Sequence, residues 1–301
     1  MKNTIIYPVF ALLILSSFKN INQSEKSRHP INSNAANTLV PQKKGYSNVN
    51  GIKMYYEIYG QGKPLVLLHG GGSTIETTFG RVIPMLAKHR KLIAVELQAH
   101  GKTGDRDKDL SFEQDADDVA TLLKNLNVNK ADFFGFSNGG TTTVQIAIRH
   151  PEVVGKIVLG SVLCKRNGVP VQFWDYMKQA TLANMPQPLK EAYLKETPSP
   201  KGLQIMHDKD AKRMVNFKDI PDEQIKSIKA PALIIIGDHD VIKPEHAIEM
   251  NRQIAGSELA IIPGEHGEYI GEIMTLKSGS KEAAFVIPMI EQFLNKSGTK
   301  Q

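Results

Sequence analysis

Asp132-Phe133-Phe134-Gly135-Phe136-Ser137-Asn138-Gly139-Gly140 joins a short apolar run to the stretch Thr141 to Arg149, and the reading of this junction decides the fold. The run Asp132 to Phe136 is short, continuous and apolar, as a strand buried on both faces should be. Asn138 to Arg149 reads as a helix that stops at His150-Pro151, because a proline pushes the residue before it out of the helical region. Between them lies Gly-x-Ser-x-Gly. At a strand-to-helix turn, small residues let the backbone fold sharply enough to present the serine hydroxyl at the carboxyl edge of the sheet. The same glycines could serve only close helix-strand packing, so the surroundings must decide.

The pattern on either side repeats the same alternation. Leu65 to Leu68, Leu92 to Val95, Lys156 to Leu159, Ala232 to Ile236 and Leu259 to Ile262 are further short apolar runs expected to form doubly buried parallel strands. Asn50-Gly51 separates Ser47-Val49 from the period-two stretch Ile52 to Tyr59, a hairpin signal that places an antiparallel pair at the sheet edge. A helix opens at Ser111-x-x-Gln114, a capping-box pattern, with Ala116, Val119, Leu122, Leu123 and Leu126 on one stripe. These elements predict an α/β architecture, a mostly parallel central sheet with helices on both faces. Residues 164–225 hold no strand-like run and read as a helical insertion over the sheet. Its Trp174, Met177 and Tyr193 either line a substrate pocket or pack the insertion in place.

Three more segments bear on Ser137. His69-Gly70-Gly71-Gly72 follows the strand Leu65 to Leu68, and its glycines allow an amide N–H to face the cleft beside the N–H of Asn138. Neither G-x-x-x-x-G-K-[ST] nor G-x-G-x-x-G with an acidic ribose partner is present, which turns the triple glycine away from phosphate binding. His69 itself reads as a structural hydrogen-bonding residue. Gly237-Asp238-His239-Asp240 follows one strand and Pro263-Gly264-Glu265-His266-Gly267 the next, so an acid and a histidine both sit at the edge where Ser137 is expected. His239 and His246 lack ligand partners in metal spacing and read as solvated loop and helix residues. Cys164, placed just beyond a strand ending at Leu163, reads as a small buried filler.

The chain order Ser137, Asp240, His266, together with the His69–Gly72 loop, resembles the α/β-hydrolase fold family, in its serine esterase or lipase-like branch with a helical cap. Glu96-Leu97-Gln98-Ala99-His100-Gly101-Lys102-Thr103 is similar to that family's D-x-x-G-H-G-x-[ST] segment, with Glu for Asp and Ala for Gly. The resemblance covers residues 46–296, with the cap at 164–225. It implies Ser137 as nucleophile, Asp240 rather than Asp238 as acid, His266 as base, and the Gly71 and Asn138 amides as oxyanion hole. It also implies a small-molecule ester or related acyl substrate, without cofactor or metal. Carboxylesterase, lactonase, thioesterase, carbon–carbon hydrolase and aminopeptidase activities all remain open on this fold, as does a non-catalytic receptor that keeps the triad.

The rest of the 301-residue chain sets its boundaries. Ile5 to Leu15 is an unbroken apolar run about half the ~20 residues a spanning helix needs, so residues 1–22 read as an export signal and the chain as periplasmic or extracellular. An uncleaved membrane anchor is the alternative. Residues 23–45 are rich in Ser, Asn, Lys and Gln and read as a disordered tether, with 297–301 as a short tail. The net charge is +6, and residues 1–44 hold six basic residues against Glu25. The domain therefore carries only +1, which argues against a nucleic-acid surface and against stable membrane insertion once the signal is removed. A single cysteine excludes an internal disulfide framework.

Overall fold

Asn50 and Gly51 both take positive φ, 42° and 91°, which matches the right-handed twist of the strands they join. They connect β1 (Lys43–Val49) to β2 (Ile52–Tyr59), an antiparallel pair closed at Val49 and Ile52. The structure, a computed structural model, describes residues 39–277 and 281–297. Six further strands follow: β3 (Pro64–Leu68), β4 (Lys91–Val95), β5 (Ala131–Phe136), β6 (Val154–Gly160), β7 (Ala232–Gly237) and β8 (Glu258–Ile262). The sheet order is β1-β2-β4-β3-β5-β6-β7-β8, and every pairing from β4 to β8 is parallel.

Strand residues alternate between two apolar cores because successive side chains point to opposite faces. Val66, Leu68, Phe133, Ile157, Ile234 and Ile236 join the face covered by α3 (Phe112–Asn125), α4 (Asn138–Arg149) and α9 (Pro244–Gln253). Leu65, Leu67, Phe134, Val158, Leu233 and Ile235 join the opposite face, under α1 (Ile75–Phe79), α2 (Ile83–Leu86) and α10 (Glu282–Asn295). Each such side chain contributes roughly 1.5–3 kcal/mol on burial, so both faces hold the sheet in one register.

Between β6 and β7 the regular elements are helices joined by short loops: α5 (Val171–Lys178), α6 (Gln187–Glu196), α7 (Pro200–Val215) and α8 (Asp222–Lys226). Residues 164–225 therefore form the expected strand-free insertion. Met185, Leu189, Tyr193, Leu203 and Met206 make a separate small apolar cluster with Ala99 of the core. Among the described residues, no helix is long and apolar enough to cross a membrane.

The structure corrects several boundaries. The first strand begins at Lys43, inside the stretch read as tether, and Gln42 N–H already bonds Ile58 O at 2.8 Å. The proposed signal and residues 23–38 of the tether lie outside the described residues, as do 298–301. Strand β8 is one edge of the sheet and only half buried, since among the described residues it pairs with β7 alone. β6 ends at Gly160 rather than near Leu163. Only the serine half of the α3 capping box forms: Ser111 accepts from Gln114 N–H, while the Gln114 side chain donates to Asp118 at 2.9 Å.

Close approach of β5 and α4 depends on missing side chains. A Cβ on Gly135 would lie 2.2 Å from Gly139 O and from Thr143 Oγ1, and one on Gly139 would lie 2.1 Å from Leu68 O. Gly135→Ala should therefore lower unfolding free energy in urea by about 3 kcal/mol, the upper range for an overpacked interior. Gly256→Ala, at φ +71° with nothing within 4 Å, should lose about 1 kcal/mol from backbone strain alone. Equal losses would show that packing at the turn is loose.

Candidate active site

Ser137 leaves β5 and enters α4 with φ 53° and ψ −122°, a region a residue bearing a side chain rarely occupies. That conformation lifts its hydroxyl off the helix, and Oγ meets His266 Nε2 at 3.1 Å. His266 Nδ1–H donates to Asp240 Oδ1 at 2.7 Å, which fixes the tautomer and leaves the Nε2 lone pair toward the serine. The three residues come from the carboxyl ends of β5, β7 and β8, over 129 and 26 positions of sequence separation.

Asp240 is held from three sides. Besides His266 it accepts the Ser161 hydroxyl at 2.6 Å on Oδ2 and the Ile242 N–H at 2.9 Å on Oδ1. Ser161, itself at φ 50°, also meets the Tyr269 hydroxyl at 2.9 Å. Asp238 faces elsewhere: it accepts the Gly264 N–H at 2.8 Å, and its side chain is 44% exposed. Of the two aspartates in Gly-Asp-x-Asp, Asp240 is the one in contact with His266.

Burial pulls the His266 pKa down, but the charge and hydrogen bond of Asp240 and the nearby Glu272 carboxylate outweigh it and leave the group raised. Glu272 is buried, which pushes its own pKa up to about 7 against the Met274 N–H bond and the His266 charge that lower it. The imidazole also lies against Phe136, ring centroids 4.8 Å apart. Gly267, at φ 77°, permits this contact, since a Cβ there would sit 2.6 Å from the Phe136 ring.

Gly71 lies against Asn138: a Cβ on Gly71 would be 2.4 Å from Asn138 Nδ2. Among the described residues neither the Gly71 nor the Asn138 N–H has an internal acceptor. Asn138 is the first residue of α4, where helical N–H groups have no intrahelical partner. His69 is buried and accepts the Leu97 N–H on Nε2 at 3.0 Å while Nδ1 bonds Gly70 O at 2.7 Å. Burial drives its pKa down to about 3, with the His100 imidazole adding to the effect, so it serves as a neutral strut for the loop.

The cap residues singled out from sequence occupy two places. Trp174 is buried, with its ring between Phe217 and the Arg166 guanidinium and its N–H on Arg166 O at 3.0 Å. Met177 packs against the same large core. Tyr193 belongs to the small cap cluster, which reaches the glycine loop: a Cβ on Gly72 would lie 3.4 Å from Met185 Cε and 3.8 Å from Leu189 Cδ1. Asp210 of α7 escaped the sequence reading, yet its Oδ1 accepts from Asn138 Nδ2 at 3.2 Å. Nothing in its helical context distinguishes it from the neighbouring charges.

His246 is not solvated as expected. It is buried and accepts the Cys164 N–H at 2.9 Å on Nε2, and burial takes its pKa down to about 4. His239 is exposed, and the Cys164 thiol is buried, its pKa pushed up to about 12. Ala99, where the motif has glycine, takes φ 65°; the departure falls in a turn and keeps the left-handed backbone.

A family model described as the alpha/beta hydrolase fold matches residues 63–209. Among curated proteins, human serine hydrolase BPHL is 27% identical over 240 residues, covering 74% of this chain and 79% of that protein. A 2-hydroxy-6-oxo-6-(2'-aminophenyl)hexa-2,4-dienoic acid hydrolase from Metapseudomonas resinovorans is 32% identical over 117 residues, 38% of this chain and 40% of that one. The solved enol-lactonase from Burkholderia xenovorans LB400 superposes with a TM-score of 0.66 at 22% identity, over 83% of this chain and 100% of that chain. With its sheet order, its Ser137 turn and these likenesses, the chain has the α/β-hydrolase fold.

Proposed function

We propose that this protein is an exported serine hydrolase that cleaves a carboxylic ester or a related acyl bond through an acyl-enzyme. The observation that carries the reading is the unbroken chain Ser137 Oγ, His266 Nε2, His266 Nδ1, Asp240 Oδ1, with links of 3.1 and 2.7 Å. Such a chain lets the imidazole accept the serine proton as Oγ attacks the acyl carbon. His266 then returns that proton to the leaving oxygen, and a water repeats the sequence to release the acid. Asp240 keeps the ring oriented and offsets its charge while it holds the proton.

The Gly71 and Asn138 N–H groups are the donors for the tetrahedral oxyanion in this reading, each worth roughly 3 kcal/mol of transition-state stabilisation. Their lack of internal acceptors supports that role. Serine at the turn favours ester-type chemistry over branches of the fold that use an aspartate nucleophile. Human BPHL is named a serine hydrolase, and a structure with TM-score 0.64 is a naproxen esterase from Bacillus subtilis; both support acyl hydrolysis. Export rests on the apolar run Ile5 to Leu15.

Hydrolysis of short 4-nitrophenyl esters tests the reading. Ser137→Ala should lower kcat at least about a thousandfold, with unfolding free energy within about 0.5 kcal/mol of the parent, because the hydroxyl bonds only His266. Retained turnover in a folded variant would place the nucleophile elsewhere. Asp240→Asn should lose far more kcat than Asp238→Asn, approaching ~10⁴ where the amide favours the wrong imidazole tautomer. The reverse ranking, with both variants folded, would reassign the acid. For the parent, kcat/KM should rise with pH through a midpoint above the ordinary histidine value of about 6.5. The sign follows from His266: Asp240 stabilises the protonated ring, and only the neutral ring accepts a proton. A midpoint below 6 would contradict the dominance of Asp240 over burial.

A further inference from the structure

Asp210 is a carboxylate that the cap delivers to the reaction centre. It lies in the last turns of α7 and is half-buried, its side chain keeping 13% exposure. Oδ1 is engaged by Asn138 Nδ2 at 3.2 Å and by the Arg213 guanidinium. Oδ2 points at the glycine loop: a Cβ on Gly71 would lie 2.6 Å from it. The nearest ring nitrogen, His100 Nε2, is 3.8 Å away and already accepts the Gly72 N–H at 3.2 Å, while His100 Nδ1 bonds Gln98 O at 2.9 Å. His100 therefore offers its lone pair to the loop and no proton to Oδ2.

The surrounding charge does not cancel. Arg213 is shared, binding Asp115 at 2.7 Å as well as Asp210, so two carboxylates stand against one guanidinium. Asp115 Oδ1 has no hydrogen-bond partner, and burial against the Arg213 charge sets its pKa at about 6. Burial acts to raise the Asp210 pKa, but the Arg213 guanidinium beside it holds the group below the usual carboxylate range. Two carboxylates thus share one guanidinium next to Gly71, in a poorly solvated setting where a unit charge acts strongly on its neighbours.

We propose that Asp210 determines specificity: the site takes acyl donors that carry a protonated amine, accepts neutral ones less well, and rejects donors that carry a carboxylate. This rests on the hydrolase reading above. The free Oδ2 can accept a charge-assisted hydrogen bond from an ammonium group, whereas a second carboxylate beside it meets a like charge without a proton to share. Repulsion of the wrong ligand contributes to such selectivity as much as attraction of the right one.

The test compares 4-nitrophenyl hexanoate, its 6-amino analogue and the adipate monoester, which differ in terminal charge at similar length. In the parent enzyme kcat/KM should fall in the order ammonium, neutral, carboxylate, with at least about a tenfold span between the extremes. Asp210→Asn keeps an oxygen for the Asn138 amide and removes the charge, and should compress that span at least fivefold, about. Should the variant fold poorly, the parent alone decides through inhibition. 3-(Aminomethyl)phenylboronic acid should then bind at least about tenfold tighter than 3-carboxyphenylboronic acid, with phenylboronic acid between them. Turnover of the neutral ester with no preference among charges overturns the proposal and leaves the hydrolase reading intact. Failure of both the neutral ester and phenylboronic acid to engage the site overturns the hydrolase reading and this proposal with it.

Discussion

The rest of the site depends on the backbone of Ser137, held at φ 53° and ψ −122° between β5 and α4. That conformation is unfavourable by about 1–3 kcal/mol for a residue with a side chain, and packing around it must hold it there. Gly135, Gly139 and Gly140 make this possible by letting β5, α4 and the Leu68-His69 backbone approach within distances that any Cβ would block. The strain has a chemical consequence. It turns the hydroxyl out toward His266 and leaves the first N–H of the helix facing the same space.

The far end of β5 is fixed by charge. Asp132 accepts from Arg90 at 2.7 Å and from the Lys156 N–H at 2.9 Å, and Arg90 continues to Asn295 of α10 at 2.7 Å. Breaking a buried pair of this kind typically destabilises by about 3–5 kcal/mol, since the remaining charge stays desolvated. The strand that leads into Ser137 is thus anchored at one end by ions and at the other by close packing. The cap is joined to the core differently, by Lys209 on Asp105 at 2.6 Å, Lys212 on Asp109 at 2.8 Å and Arg213 on Asp115. Of these pairs only the last is buried, which makes Arg213 a desolvated electrostatic tie between the cap and α3.

Much of this was legible from residue order. The strand-glycine-serine-helix junction specified α4 to the residue and β5 to within one residue, and Asn50-Gly51 specified the edge hairpin, because both signals rest on local backbone geometry. Asp240 and His266 were legible for the same reason, each following an apolar strand. The start of β1 was not: Lys43 and Lys44 are exposed and Gly45 half-exposed on an edge strand, and the three carry no apolar signal. Burial of His246 depends on the Cys164 N–H, 82 residues away in sequence. Asp210 lies among the charges of α7 (His-Asp-Lys-Asp-Ala-Lys-Arg), and only the folded cap shows which one meets Asn138 and Gly71.

The central claim is that Ser137, activated through His266, is the group that becomes acylated. Stoichiometric reaction of the folded protein with a fluorophosphonate, followed by peptide mass mapping, measures this directly. One adduct per chain is expected, on the peptide containing Ser137, with slow labelling when His266 is replaced by alanine. An adduct on any other residue, or labelling whose rate does not depend on His266, would contradict it.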